Sequence, residues 1–471
     1  MIFEFSLLQI DCIHRLHLCG MNNNNTKHIL DYLHFETPTI EQKNTLNALS
    51  TFVNVDNSDD FFILSGAAGT GKTSITSALV GYLNNDKVKY KIIAPTGRAA
   101  RILGKKTKSL SSTIHSLIYK TVTNKETGVV SFILKPNPIK EFTIYIVDES
   151  SMINADSKSD EMFQTSDSLL NNLIKYLKSG NDKNKVVFLG DKNQLPPYAE
   201  NESLALDPNY LRKKYTLTGS FHYLTEVKRV EDGSYILKNA TRLREAIDNN
   251  ESQMPNIAAN RMKNVWAAAR DYSKNFNPEN VDNIVAIGRS HKSNRMFNDE
   301  VRKQLFGLNV PYIKKEDMLI VYKNWSRGDA QLYNGDHVIV EEVDLTKVEL
   351  VCGLNFVPIR INAKGLDGSN QIIDDYILLD TLLSENGSIP FEKENQLRAE
   401  RFRKNSIYSK SGNAEDDKFV GAIRLGYGYS ITCQKAQGGE WDSVYVNTFA
   451  VEDKKWMYTA ITRAKSQLNI Y

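Results

Sequence analysis

From Phe61 onward the chain alternates short, wholly apolar runs with longer segments of mixed polarity. FFIL (61–64), KIIAP (91–95), TIYIVD (143–148) and KVVFLGD (185–191) are each followed by a cluster of Gly, Pro, Asp or Ser. Continuous β-branched runs separated by helical segments predict parallel strands covered on both faces, the pattern of a doubly wound α/β layer. VDNIVAIGR (281–289) and SVYVNTF (443–449) repeat it more weakly and predict a second such layer. Two stretches break the alternation. In YKTVTNKETGVVSFILK (119–135) two β-rich arms flank Asn-Lys-Glu-Thr-Gly, which predicts an inserted hairpin over about residues 118–140. From about 313 to 420, MLIVYKN, GDHVIVEEV, KVELVCG and QIIDDYILL follow one another with little helical period, which predicts a small β-barrel.

Before this, residues 1–35 read as an N-terminal extension. MNNNNTK (21–27) has the polar look of a mobile start, so translation from Met21 and a genuine short strand and helix over residues 1–20 are both open readings. The 471 residues can bury a large core without disulfide or metal. Cysteines 12, 19, 352 and 433 lack metal-ligand or framework spacing, which fits a reducing, cytoplasmic setting. No apolar run approaches a membrane span. A net charge of +3, from 59 basic and 56 acidic residues, neither announces nucleic acid nor excludes a locally basic groove.

GAAGTGKT, Gly66 to Thr73, satisfies G-x-x-x-x-G-K-[ST] directly after an apolar strand and before the helix-capable SITSALVGYL. Gly66, Gly69 and Gly71 let the backbone curl, and Ala67, Ala68 and Thr70 complete a loop whose N–H groups face phosphate at a helix N-terminus opened by Lys72, Thr73 and Ser74. Lys72 supplies a point charge for the β and γ phosphates, and Thr73 a hydroxyl for Mg²⁺. In IYIVDESS, Asp148 and Glu149 end a second apolar strand. There Asp148 is placed to hold Mg²⁺ and Glu149 to orient an attacking water, which indicates triphosphate hydrolysis.

With these two segments and VVFLGDKNQLPP (186–197), the sequence resembles the superfamily-1 DNA helicases, and more closely their RecD-like branch. The resemblance covers residues 36 to 471 and implies an ATP-dependent helicase with two RecA-like P-loop motor domains. It places the first at 36–223, the second at 224–312 and 421–471, and the barrel-like insertion at 313–420. It implies ATP and Mg²⁺ as cofactors and single-stranded DNA and duplex junctions as partners. It further implies 5′ to 3′ movement; the oligomeric state is open, with action as a monomer expected, and repair or replication proteins are candidate partners.

The likeness carries over residue by residue. Gln194 lies in the segment that couples nucleotide state to DNA, and Gln42, in TIEQKNTL, matches a glutamine that reads the adenine edge. Arg98 in APTGRAARIL and Thr113 and His115 in STIHSL match strand-contacting positions. Arg229 in LTEVKR and Arg463 in YTAITRAK match arginines that reach the γ-phosphate, where a guanidinium arriving on closure stabilises developing charge. Thr432, Lys435 and Gln437 match the segment T-x-H-K-x-Q-G, with Gln434 standing where the family has His. LYNGD (332–336) resembles the entry to the inserted barrel. The hairpin is where the family places its wedge, and Phe132 either stacks on a base or packs the hairpin down. Three other readings stay open: a translocase subunit of a larger complex, RNA as the track, and a nucleotide-dependent protein switch.

Overall fold

The computed structural model describes residues 28–34, 37–123, 130–156, 163–165, 167–227, 234–365, 369–384 and 387–471. The possible start at Met21, the hairpin turn at 124–129 and Arg229 lie outside the described residues. The first layer is an entirely parallel six-stranded sheet. Its strands are β1 (Phe61–Gly66), β2 (Lys89–Ala94), β3 (Ser111–Thr113), β6 (Thr143–Val147), β8 (Lys185–Gly190) and β9 (Gly219–Leu224), in the order β3-β2-β6-β8-β1-β9. Successive residues of β1 serve opposite faces. Phe61 and Ile63 pack with Tyr145, Val147, Leu170 and Leu173, whereas Phe62 and Leu64 pack with Leu46, Leu49, Leu79 and Leu83. Coverage of both faces is why these strands are unbroken apolar runs.

The helices that supply those covers are α1 (Ile40–Phe52), α2 (Lys72–Asn85), α3 (Gly97–Thr107), α4 (Ile114–Ile118) and α5 (Leu169–Gly180). Thr39 and Gln42 form a reciprocal capping box at the start of α1. The packing of this layer begins before residue 36: a single 3₁₀ turn, Ile29–Tyr32, buries Ile29 in the same cluster as Leu46 and Leu79.

Strands β4 (Tyr119–Thr123) and β5 (Val130–Leu134) pair antiparallel, with Tyr119 opposite Leu134 and Thr121 opposite Phe132. β7 (Phe163–Thr165) adds to β5 in parallel, a third strand that its short polar sequence did not signal. Pairing stops at Leu134, short of 140, because Pro136 and Pro138 have no N–H to extend a ladder.

The second parallel sheet joins β10 (Asn260–Arg261) and β11 (Ile284–Gly288) to β20 (Ser430–Thr432), β21 (Trp441–Val446) and β22 (Ala464–Ile470), in the order β10-β22-β21-β11-β20. Between β11 and β20 the chain builds an antiparallel sheet. It runs from β12 (Met318–Val321) through β15 (His337–Val343), β16 (Glu349–Val351), β17 (Leu354–Lys364) and β18 (Asn370–Leu378) to β19 (Leu425–Tyr427), with a separate ribbon of β13 (Trp325–Arg327) and β14 (Ala330–Leu332). The path curls until its ends meet: Ile423, leading into β19, accepts from Leu378 N at 3.2 Å and donates to Tyr376 O at 2.8 Å. Leu319, Val338, Val357, Ile361, Ile377 and Leu425 fill the interior. Helix α6 (Phe391–Lys404) covers one side, and α7 (Lys454–Ile461) connects β21 to β22. Among the described residues no helix is long and apolar enough to cross a membrane.

Candidate functional site

The loop after β1 has the backbone a phosphate cradle needs. Gly69 and Gly71 lie at φ +82° and +90°, where only glycine is unstrained, and a Cβ on Gly66 would come within 2.8 Å of Thr70 Oγ1. Lys72 opens α2 and turns back over the loop, its ammonium donating to the carbonyls of Gly66 and of Ala67, the latter at 3.0 Å. Thr73 and Ser74, half-buried, come next on the first turn of α2. Gln42 reaches the loop from α1: its Nε2 donates to Thr70 O at 2.9 Å while its Oε1 accepts from Thr39 N at 3.0 Å. Both ends of this amide are thus engaged. As placed, Gln42 braces the loop instead of presenting a free edge to a base.

β6 delivers Asp148 and Glu149 into the same space because Ile144 to Val147 are buried and the strand ends there. Glu149 sits at φ +50°, an uncommon conformation for a non-glycine residue and a mark of local strain at this turn. Burial raises the carboxyl of Asp148, against the pull of Lys72 and Lys106. Burial, then repulsion from Asp148, pushes Glu149 up to about 7, with Arg463 and Lys72 pulling the other way. Two acids share a desolvated site with too few cations, the setting in which a divalent ion is welcome. Among the described residues no group of three or more His, Cys, Asp or Glu gathers as a complete metal site, so such an ion would need phosphate oxygens.

The second layer closes over this site through the segment after β8. Asp191 Oδ2 accepts from the Tyr458 hydroxyl of α7 at 2.6 Å, Leu195 N donates to Thr459 Oγ1 at 2.8 Å, and Gln437 Nε2 donates to Leu195 O at 2.8 Å. These residues are all buried. Gln194 lies between them with a buried Oε1 that has no partner among the described residues. Just past α7, Arg463 is held by Thr459 O at 3.0 Å, Gly439 O at 3.2 Å and Thr462 Oγ1 at 3.2 Å, close enough to Glu149 to lower its pKa.

The expected strand-contact residues divide. Arg98 is committed elsewhere: its guanidinium pairs with Asp282 at 2.8 Å, lies 4.3 Å above the Trp441 ring and approaches His337 Nδ1 at 3.4 Å, so it does not face a strand in this conformation. Burial lowers its pKa. Its neighbour Arg101 pairs with Asp336 at 2.7 Å, and Tyr333 packs where a Cβ on Gly97 would stand. Helix α3 is therefore the docking face for the second layer and the 332–337 turn. Thr113 and Thr432 cap short helices through their hydroxyls, to Ser116 N at 3.1 Å and Lys435 N at 3.4 Å. Lys435 reaches Asn334 Oδ1 at 3.0 Å over the Tyr322 ring, and burial lowers its pKa to about 8. Gln437 bridges the layers through its bond to Leu195. Phe132 resolves toward packing: it forms a trio with Tyr119 at 5.5 Å and His115 at 5.9 Å, and burial lowers the His115 pKa. Tyr458 escaped sequence reasoning although it opens YTAITRAK. Asp282 carried no local signal at all.

Two family models match the chain: an AAA domain over residues 50–200, and a UvrD-like helicase C-terminal domain over residues 427–471. A RecBCD enzyme subunit RecD from Buchnera aphidicola is 23% identical over 509 residues, covering 92% of this chain and 73% of that relative. An ATP-dependent RecD2 DNA helicase from Deinococcus radiodurans is 32% identical over 135 residues, which is 29% of this chain and 16% of the relative. A crystal structure of Pif1 helicase from Bacteroides with ADP-AlF3 and single-stranded DNA covers 93% of this chain and 92% of its own, at 14% identity and a TM-score of 0.48. A phosphate loop, an acidic strand end and a helicase C-terminal domain together define an ATP-driven superfamily-1 helicase enzyme. Within that superfamily the chain is similar to helicases of the RecD-like branch.

Proposed function

We propose that this chain is an ATP-dependent DNA helicase that moves 5′ to 3′ along single-stranded DNA and separates duplex at junctions. The observation that carries this reading is the clasp of Asp191 and Leu195 by Tyr458, Thr459 and Gln437, which joins the nucleotide loop's sheet to the helix leading into Arg463. A change at the phosphate site thereby has a mechanical route into the second layer. Similarity to the RecD2 DNA helicase supports DNA as the track, and likeness to the RecD-like branch supports the direction.

In this reading the first RecA-like domain is 36–223, joined by the turn at 29–32. The second is 224–312 with 421–471, and the curled antiparallel sheet of 313–420 is an inserted β-barrel. The β4–β5 hairpin, within the insertion expected at 118–140, is the wedge, held to its domain by the Phe132 trio. The loop from Gly66 to Ser74 would hold ATP, and Thr73 and Asp148 would hold Mg²⁺; the pair would supply a scissile phosphoanhydride and a charge that offsets that of the phosphates. Lys72 exchanges its loop carbonyls for phosphate oxygens. Glu149, deprotonated, orients and deprotonates the attacking water, and Gln194 contacts the terminal phosphate. Arg463 stabilises charge building on the γ-phosphoryl oxygens, and Arg229 is its proposed second guanidinium. Thr113, His115, Thr432 and Lys435 line the strand's route. Arg98 joins them only if its pair with Asp282 opens.

Strand displacement on 5′-tailed and 3′-tailed duplexes tests this directly. Unwinding confined to the 5′-tailed substrate is expected, and ATP turnover indifferent to oligonucleotide would remove the motor reading. Similarity to RecD over most of the chain favours one alternative, a translocase subunit requiring a partner. Full unwinding by the isolated chain would eliminate it.

A further inference from the structure

Strand β9 ends beside the phosphate loop: Leu224 pairs with Gly66, and a Cβ on Gly66 would stand 3.0 Å from Leu224 Cβ. The chain then crosses to the second layer, where the helix Tyr235–Asp248 buries Ile236, Ala240 and Leu243 in one cluster with Val444, Tyr458 and Leu468. The start of that crossing is held by a single carboxylate. Glu41, on the first turn of α1, accepts from Thr225 N at 2.8 Å, Thr225 Oγ1 at 2.6 Å and Glu226 N at 3.2 Å. Its neighbour Gln42 braces the phosphate loop through Thr70 O, so consecutive residues of α1 hold the loop and the crossing segment. From the second layer, Arg244 donates to Thr225 O at 3.3 Å. Burial pushes the Glu41 carboxyl up, but the hydrogen bonds from Thr225 and Glu226 and the charge of Arg244 outweigh it and hold its pKa below the ordinary carboxylate value.

We propose that Glu41 is a positioning residue for ATP hydrolysis: it ties the crossing segment to the helix that braces the phosphate loop, and so sets where Arg463 of the second layer stands relative to the γ-phosphate. The inference rests on the helicase reading and deepens it by naming what anchors the joint between the layers. A hinge concentrates its rotation in a few residues between packed elements. With Thr225 and Glu226 fixed, that rotation starts beyond them, at a point that moves with the loop. Donors converging on one ionised carboxylate make stronger bonds than neutral pairs do, which suits an anchor under load. Without Glu41 the pivot slips back towards Leu224 and the arc swept by Arg463 shifts, and a misplacement of about 1 Å can cost on the order of a hundredfold in rate. Nucleotide affinity, set by the loop on the first layer, is left in place.

Single-turnover ATP hydrolysis with saturating dT15, set beside equilibrium binding of a fluorescent ADP, tests this. Glu41→Ala is expected to hydrolyse about tenfold or more slowly while its ADP dissociation constant stays within about twofold of wild type. Glu41→Gln keeps an oxygen for the two backbone N–H groups and offers its amide N–H to the Thr225 hydroxyl, so it should recover the rate to within about threefold. Arg244→Ala frees Thr225 from the other side and should show the same split, which decides the matter if Glu41→Ala does not fold. A wild-type rate in folded Glu41→Ala or in Arg244→Ala, an ADP affinity that falls in step with the rate, or a Glu41→Gln as slow as Glu41→Ala each overturns the positioning role and leaves the helicase reading standing. Wild-type turnover that ignores dT15 overturns that reading and this inference with it.

Discussion

Glu149 shows how a single residue balances stability against chemistry. With its pKa pushed up to about 7 by burial and by Asp148, the folded chain binds a proton more tightly than the unfolded chain, whose carboxyl titrates near 4.5. Its contribution to stability is present at low pH and is lost as pH rises from 4.5 through 7. The proposed role of Glu149 in hydrolysis needs the opposite form, so ATP turnover at saturating oligonucleotide should fall as pH drops below about 7. Glu149→Gln is expected to raise the melting temperature at pH 8 while abolishing turnover; an unchanged or lower melting temperature would contradict the strain assigned to this acid pair. Lys72→Ala should remove turnover and unwinding while leaving the circular dichroism spectrum intact. Arg463→Ala should bind nucleotide normally yet hydrolyse it slower by a factor of about 10³, as loss of an arginine finger does. Single-turnover kinetics beside nucleotide titration separates those two effects.

At the scale of elements, α7 carries both ends of the coupling: Tyr458 at its middle grips Asp191, and Arg463 comes just after its last turn. Tyr458→Phe keeps the ring packing but leaves the buried Asp191 with one acceptor site unfilled. A cost of about 1.5–3 kcal/mol to the closed cleft is expected for a hydrogen bond to a charged group. The measurable consequence is a loss of oligonucleotide stimulation greater than the loss of basal turnover. Equal losses would reduce Tyr458 to a packing residue. Inside the curled sheet and its covering helix, Glu394 is the carboxylate shared by Arg398 at 3.0 Å and Arg424 at 3.3 Å, and these cations with Lys323 hold it down to about 2. Glu394→Gln removes the charge they share and should destabilise the chain by about 3–5 kcal/mol in urea unfolding.

Across the whole molecule, the contacts of α3 set how the layers meet. The ion pairs of Arg98 with Asp282 and Arg101 with Asp336, and the stacking of Arg98 on Trp441, join parts of the chain that the proposed mechanism moves relative to each other. Arg98→Ala should favour a more open cleft, visible as a larger radius of gyration in small-angle scattering without nucleotide. An identical scattering curve would show that the remaining contacts hold the closed form by themselves.

The nucleotide half of the proposed site was expected from local chemistry, and the structure brings Lys72, Asp148, Glu149 and Arg463 together. The glycine loop follows β1, Lys72 opens the helix α2 directly after that loop, and the Asp148-Glu149 pair follows β6, so an apolar run dictates each strand and the strand end dictates where the residues after it begin. Both parallel layers were legible because burial on two faces leaves its mark on every residue of a strand, whereas the long strands of the β-rich insertion alternate between interior and surface. The third hairpin strand, β7, was not legible, because its pairing rests on backbone hydrogen bonds and not on composition. Only the tertiary structure decided which side chains meet across the cleft. Asp282 and Arg98 are 184 positions apart, and Asp191 and Tyr458 are 267. A charge-assisted contact between such distant residues depends on how two sheets are oriented, and no local pattern of hydrophobic and polar residues encodes that orientation.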